Sequence, residues 1–185
     1  MKDMMKIGQP LGGIIQFAYI VEDIHKSMQD FTDRLGIGPW FVSGPFVPPE
    51  GVYRGKPTDM SLTLAIAWSG NVNIELIEQH DRKPSVYQEF IGRHGYGFHH
   101  WAIGSRDLDA TVEEYKRKGY ELAFSDRSPR GVRIVYMDIS GSSVPGMLEI
   151  IEVTDVLENL YLDMHAASLE WDGTELFRTA ASIKR

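Results

Sequence analysis

The sequence predicts an α+β fold: two βαβββ modules followed by a C-terminal helix. Three observations carry this. The order strand, helix, three strands occurs twice along the 185 residues. The boundary strands of the two halves align, "QFAYIVEDI" from Gln16 with "HWAIGSRDL" from His100, and "IELIE" around Glu75 with "LEIIE" around Glu149. An amphipathic stretch, 154–173, follows the second half.

The first half opens with "GGIIQFAYIV" (12–21), an apolar run entered through two glycines, read as a strand. In "DIHKSMQDFTDRLGIG" (23–38), Ile24, Met28, Phe31 and Leu35 recur at helical spacing. Asp23 is placed to cap this helix and Gly36 to end it. "PWFVSGPFV" reads as a strand broken by Gly44 and Pro45, and the turn-rich "VPPEGVYRGKPTD" as a loop. "SLTLAIAWSG" and "NVNIELIEQ" are two strands joined at Ser69-Gly70-Asn71. A short helical piece near "PSVYQEFIGRHG" leads to the second half.

There "GFHHWAIGS" is a strand, and "RDLDATVEEYKRKGY" a helix with Leu108, Val112 and Tyr115 on one face and Gly119 at its end. "ELAFSD", "GVRIVYMDI" and "GMLEIIEVT" are three more strands. His100 follows Gln16 by 84 residues and Glu149 follows Glu75 by 74; the longer loop of the first half absorbs the difference. In the tail, Val156, Leu157, Leu160, Met164 and Ala167 form a helical stripe behind a cap at Thr154 or Asp155. Such a stripe has to lie on the sheet, on a pocket mouth or on a partner subunit.

Composition bounds the function. With 43% hydrophobic and 24% charged residues the chain is ordinary globular material, long enough to bury a core without staples. It has no cysteine, so disulfides are excluded and a metal would need nitrogen and oxygen ligands. The net charge is -7 and no lysine or arginine stripe is present, which argues against nucleic acid as a partner. The N-terminus lacks an uninterrupted apolar signal core, and no apolar run approaches the ~20 residues of a membrane span. The expectation is a cytoplasmic protein with a small-molecule substrate and no membrane partner.

Residues i and i+2 share a strand face. Gln16 therefore sits with Ile14, Ala18 and Ile20; Glu75 with Ile77, Asn73 and Gln79; His100 with Phe98 and Ala102; and Glu149 with Met147 and Ile151. A lone histidine or glutamate on a strand is ordinarily a satisfied core group or a mark of a wet face. Glu78 and Glu152 also lie on these strands, on the opposite face. Four such residues at matching places of two repeats have a joint explanation in a metal site, because buried carboxylates are costly unless paired or metal-bound. One nitrogen and three oxygen donors suit one divalent ion of Zn, Ni, Co, Mn or Fe. By the same alternation, His99 faces away from His100, packed or hydrogen-bonded under a helix. Tyr53 and Arg54 of the first-half loop are candidate grips for substrate, against the alternative of a solvated loop. Trp68 and Trp101 are candidate pocket walls, against the alternative of core. His80, His94 and His165 are expected at the surface.

The runs "IIQFAYIV", "GFHHWAI", "NIELIE" and "GMLEIIE" resemble the vicinal oxygen chelate superfamily over about residues 13 to 153. That superfamily includes glyoxalase I, methylmalonyl-CoA epimerase, extradiol dioxygenases and metal-free bleomycin-binding proteins. The resemblance implies one domain, 13–153, of modules 13–80 and 97–153, curving a mixed sheet around a metal-binding cleft, with helix and tail at 154–185. It implies metal ligands at Gln16, Glu75, His100 and Glu149, the set of the zinc-type glyoxalase I. The epimerases usually carry histidine at the first position, so Gln16 departs from them. The dioxygenases use two histidines and a glutamate, a triad that is incomplete here. The implied activity is a metal-dependent isomerase or lyase of glyoxalase or epimerase type. It would move a proton through an enediolate-type intermediate of a small or hydrophobic oxygenated substrate, with Glu149 as principal base and Glu75 serving the opposite face. The alternatives are a metal-free binding or resistance protein and, behind it, a non-haem iron ring-cleaving dioxygenase. A homodimer is expected, since such modules often assemble through sheet edges and helix faces.

Overall fold

The computed structural model describes residues 3–139, 143 and 146–180; the last five residues of the expected tail lie outside them. The first module contributes β1 (Ile14–Ile20), α1 (Ile24–Leu35), β2 (Trp40–Phe46), β3 (Val52–Tyr53), β4 (Lys56–Pro57), β5 (Leu62–Ser69) and β6 (Val72–Gln79). After α2 (Val86–His94), the second contributes β7 (Gly97–Ser105), α3 (Leu108–Arg117), β8 (Glu121–Arg127), β9 (Arg133–Asp138) and β10 (Met147–Glu152). The tail forms α4 (Asp155–Leu169) and β11 (Phe177–Thr179).

The helices start where the caps lie. Asp23, Ser85, Asp107 and Thr154 each accept a hydrogen bond from a backbone N–H of the first turn, supplying a partner that the helix itself cannot. Gly36, at φ +67°, ends α1 in the left-handed conformation that costs glycine least.

All strands join one curved, unclosed mixed sheet in the order β11-β2-β5-β6-β1-β7-β10-β9-β8-β3-β4. Each module pairs its first and last strands in parallel, β1 with β6 and β7 with β10, and the modules meet where β1 runs antiparallel to β7. The stretch read as a loop contains the β3–β4 hairpin, which turns at Arg54-Gly55, both at positive φ, and pairs with β8. Strands of two residues carry no period, so a sequence pattern has nothing to register there.

The two faces differ. α1 covers the outer face of the first module through Ile24 and Met28, packed with Trp40, Ala65, Ala67 and Leu76. α3 covers that of the second through Leu108 and Val112, with Ile103, Met137, Leu148 and Ile150. On the inner face, α2 packs Val86, Tyr87 and Phe90 against Ala18, Ile77, Tyr136 and Met147. α4 packs Leu157, Tyr161 and Met164 among Phe41, Trp68, Ala102 and Ile151. Leu157, Leu160, Met164 and Ala167 of the expected stripe are thus spent on the helix's own sheet, while Val156 stays exposed.

Two β-bulges break the strict alternation where the modules join. From Ile14 to Gln16 the partner advances by one residue, so Ile15 is extra; from Ala18 to Tyr19 the partner moves from His100 to Phe98, so His99 is extra. A bulge turns the following register over. His99 therefore lies on the inner face beside His100, not opposite it, and Phe98 lies on the outer face. There it stacks on Trp101 at 5.5 Å and meets Tyr19 edge-on at 5.9 Å. The expected company of His100 with Phe98 is corrected accordingly.

If α4 is an integral part of this core, Leu157→Ala will cost about 2–5 kcal/mol, read from urea unfolding followed by tryptophan fluorescence. A loss below about 0.5 kcal/mol, the range of surface substitutions, would mean that the helix is not docked there.

Candidate functional site

Strand register alone builds the site. One inner-face row across the sheet reads Trp68, Asn73, Gln16, Ala102, Glu149, Tyr136. The next reads Ile66, Glu75, Ala18, His100, Met147. Gln16 and Glu149 flank Ala102 in the first; Glu75 and His100 flank Ala18 in the second. Exchanging the modules carries Gln16 onto His100, Ala102 onto Ala18 and Glu149 onto Glu75, a local pseudo-twofold axis between β1 and β7. The two alanines, both fully buried, leave the space into which four longer side chains converge.

They converge to contact. Gln16 Nε2 donates to Glu75 Oε2 at 2.9 Å and to Glu149 Oε2 at 3.4 Å, and lies 3.4 Å from His100 Nε2. His100 Nε2 stands 3.2 Å from Glu149 Oε2 and 3.6 Å from Glu75 Oε2. None of the four is more than 6% exposed. Among the described residues, no lysine or arginine hydrogen bond or ion pair reaches them.

Burial without a cation dictates their protonation. It pushes the Glu149 carboxyl up to about 8, offset in part by the Tyr136 hydroxyl. Burial, with Glu149 alongside, holds Glu75 well above the carboxylate range. Burial also drives the His100 imidazole down to about 3, so it is neutral. The bulge places His99 Nδ1 2.9 Å from His100 Nδ1. One of the two nitrogens must carry a proton. The assignment that leaves His100 Nε2 a free lone pair puts the proton on His100 Nδ1, donated to His99. The His99 ring is held between Tyr87, Phe90 and Tyr136.

Could these residues hold a divalent metal? Donor atoms 2.0–2.2 Å from a tetrahedral ion stand about 3.3–3.6 Å from one another. Between atoms that can ligate, His100 Nε2 stands 3.2 Å from Glu149 Oε2 and 3.6 Å from Glu75 Oε2, close to that range. Among the described residues, no three His, Asp or Glu side chains are already closed up as ligands, since the Gln16 amide nitrogen stands between the carboxylates. Turning that amide over presents Oε1 to the cluster and Nε2 to the Tyr161 hydroxyl, which now donates to Oε1 at 3.4 Å and accepts equally well. The donor set and the missing positive charge fit a divalent ion.

The other candidates scatter. Trp68 is on the inner face, its ring 5.3 Å from Tyr161. Trp101 is on the outer face and does not line the quartet. Tyr53 donates to Glu89 at 2.7 Å. Arg54 donates to Glu89 and to Asp138, so both loop residues are engaged beside α2. A surface groove of about 360 Å³ between α3 and β8–β9, lined by Leu108, Val112, Leu122, Arg133 and Val135, includes none of the four. Tyr161, Tyr136 and Asn73 were not singled out from sequence. Asn73 had a signal, two residues from Glu75 on the same face, and it is fully buried.

A family model described as the glyoxalase/bleomycin resistance protein/dioxygenase superfamily matches residues 15–136. No curated protein matches the chain in sequence. Among solved structures, the chain is similar to a hypothetical protein from Bacillus halodurans, at 20% identity over 77% of this chain and 95% of that one, with a TM-score of 0.58. A Streptomyces coelicolor methylmalonyl-CoA epimerase variant in complex with 2-nitronate-propionyl-CoA matches at 18% identity over 79% and 97%, TM-score 0.57. The methylmalonyl-CoA epimerase from Mycobacterium tuberculosis matches at 18% over 80% and 91%, TM-score 0.54. At these identities the likeness is one of fold.

The protonation states give a pH signature. Folded Glu149 holds its proton up to about 8, against 4.5 ordinarily, so across that interval the native state binds more protons and loses stability as pH rises. The buried His100, lowered to about 3 from 6.5, and His99, lowered in the same direction, act oppositely, an effect that fades as pH rises past 6.5. The chelator-treated protein is therefore expected to show a Tm that falls from pH 6.5 to 8, with a shallower fall in Glu149→Gln. A Tm that rises or stays level over this window in the unsubstituted protein would contradict the assignment.

Proposed function

The chain belongs to the glyoxalase/bleomycin resistance protein/dioxygenase superfamily, and from that premise we propose that it is a metal-dependent isomerase of epimerase or glyoxalase type. The observation that carries the reading is the pair of buried carboxyls, Glu75 and Glu149, on opposite sides of a pseudo-twofold axis, with two alanines between them. Gln16, Glu75, His100 and Glu149 would hold one divalent ion. That ion, when bound, supplies the positive charge that stabilises an enediolate-type intermediate of an oxygenated substrate.

The chain's own residues do the rest. Glu149 takes a proton from a carbon next to a carbonyl. Ionised once a cation balances the site, its carboxyl can accept that proton and return it. Glu75 faces the same space from the other module. It can deliver a proton to the opposite face, which gives inversion, while return by Glu149 gives retention or transfer to the neighbouring atom. His99 fixes the His100 ring through the Nδ1 contact. The Leu157 and Tyr161 side of α4, together with α2, keeps bulk water from the quartet.

Several of the neighbours are methylmalonyl-CoA epimerases, one in complex with 2-nitronate-propionyl-CoA and another with methylmalonyl-CoA. For this chain the substrate reading is a small or hydrophobic oxygenated compound with an acidic C–H bond. A second reading, a metal-free ligand-binding protein, is favoured by the Gln16 amide bridging the carboxylates. The two part on metal analysis. The enzyme reading expects one divalent ion per chain in protein purified without chelator, and a Tm raised by added Zn²⁺. A saturating excess of 100 times Kd is worth about 2.7 kcal/mol. No metal and no shift with Zn²⁺, Ni²⁺, Co²⁺ or Mn²⁺ would select the binding reading. A homodimer in the cytoplasm completes the proposal, with exposed Val156 and Leu169 of α4 as contact candidates; a concentration-independent monomer in sedimentation would remove the dimer.

For the enzyme, Glu149→Gln is expected to abolish exchange of the substrate C–H proton in deuterated water while leaving metal bound through the remaining ligands. Normal exchange in that variant would falsify the choice of base.

A further inference from the structure

Beyond the quartet, the row that carries Gln16 runs on through Asn73 to Trp68. Asn73 is fully buried and Trp68 is 4% exposed. The Trp68 Nε1 and both amide atoms of Asn73 have no hydrogen-bond partner. Leaving several adjacent buried polar atoms unmatched is costly, and folded proteins keep such groups where something else supplies the partner.

The tail helix closes over them. Tyr161 sets its ring edge-on to Trp68, and its hydroxyl donates to Gln16 Oε1. Asn73 is near enough to influence that hydroxyl, yet no hydrogen bond of normal geometry joins the two. Trp68 is thus in register with Asn73 and packed on Tyr161, two side chains from the first module and one from the tail at the border of the quartet.

We propose that Trp68, Asn73 and Tyr161 form a binding subsite for an uncharged oxygen function of the substrate, a hydroxyl or carbonyl, beside the carbon that undergoes proton transfer. This rests on the function proposed above. An indole N–H only donates, an amide donates and accepts, and a phenol does either. A substrate hydroxyl accepts from Trp68 and donates to Asn73 Oδ1 or to the Tyr161 oxygen, whose own hydrogen goes to Gln16; a carbonyl accepts from Trp68 and from Asn73 Nδ2. A carboxylate or phosphate is selected against. Among the described residues, no lysine or arginine hydrogen bond or ion pair reaches these three side chains or the quartet. A second buried anion would have no partner there.

The test follows the Trp68 indole N–H by ¹H–¹⁵N NMR, assigned by its loss in Trp68→Phe. Hydroxyacetone is the uncharged probe and pyruvate the anionic one of similar size. Both are titrated into zinc-loaded and chelator-treated protein. The expected result is a saturable shift with hydroxyacetone in both forms. In the chelator-treated form, hydroxyacetone affinity should exceed that of pyruvate by at least about tenfold, the scale set by a buried unpaired charge. Tyr161→Phe, which keeps the ring packing, should weaken it by about fivefold, the size of one hydrogen bond. Asn73→Leu should weaken it further; if that variant fails to fold, Tyr161→Phe still decides. No saturable shift in either form, or equal affinity for the two probes in chelator-treated protein, would overturn the subsite. Zinc binding is measured separately by competition with a chromophoric chelator. If zinc does not bind and the Trp68 shift persists, the metal reading fails and the subsite stands. If zinc binds and the shift is absent, the reverse holds.

Discussion

Two carboxyl groups with no cationic partner among the described residues, Glu75 and Glu149, are the constraint around which this interior is arranged. A buried carboxylate needs opposite charge or a proton. Here burial imposes the proton, raising Glu149 to about 8 and Glu75 in the same direction. That state has a cost, and it persists because the sheet is held on both faces by apolar packing. α1 and α3 secure the outer side; α2 and α4 secure the inner. The proposed divalent ion would replace that proton as the balancing positive charge.

The duplicated module explains why the groups face one another. Joining β1 to β7 antiparallel makes Gln16 and His100 neighbours of the opposing alanines, and parallel pairing of β6 and β10 delivers one glutamate from each side. The matched bulges at Ile15 and His99 sit one residue before Gln16 and His100. A bulge re-aims a side chain and bends its strand locally. At one copy it supplies an apolar residue to the core; at the other it supplies an imidazole that holds the His100 ring from behind.

Much of this was legible in the sequence, and the rest was hidden for identifiable reasons. Helix starts at Asp23 and Thr154 and the hairpin at Gly70 have local signatures, and the quartet followed from matching polar residues in two repeats. The side of the sheet taken by His99 and Phe98 did not follow. It depends on a register step between strands far apart in the chain, and alternation counted along one strand cannot see it. The tail helix was recognisable by its stripe, but a stripe says only that something must be covered. That it covers the quartet's own face, and brings Tyr161 to Gln16, is decided by the shape of the sheet. Arg54 shows the converse: an arginine in a loop invites a substrate role, whereas Glu89 and Asp138 already occupy its donors.

The central claim is that four inward side chains from two repeats act as one cation site. Cobalt(II) titration of the chelator-treated protein tests it most directly, because intense visible d–d bands distinguish a low-coordinate protein-bound ion from the weakly absorbing aqua ion. The account predicts saturation at one cobalt per chain, with bands that disappear in His100→Ala and weaken in Glu75→Gln, while the fold is retained by circular dichroism. Bands unchanged in His100→Ala, or no bands in the unsubstituted protein at any cobalt concentration, would contradict it.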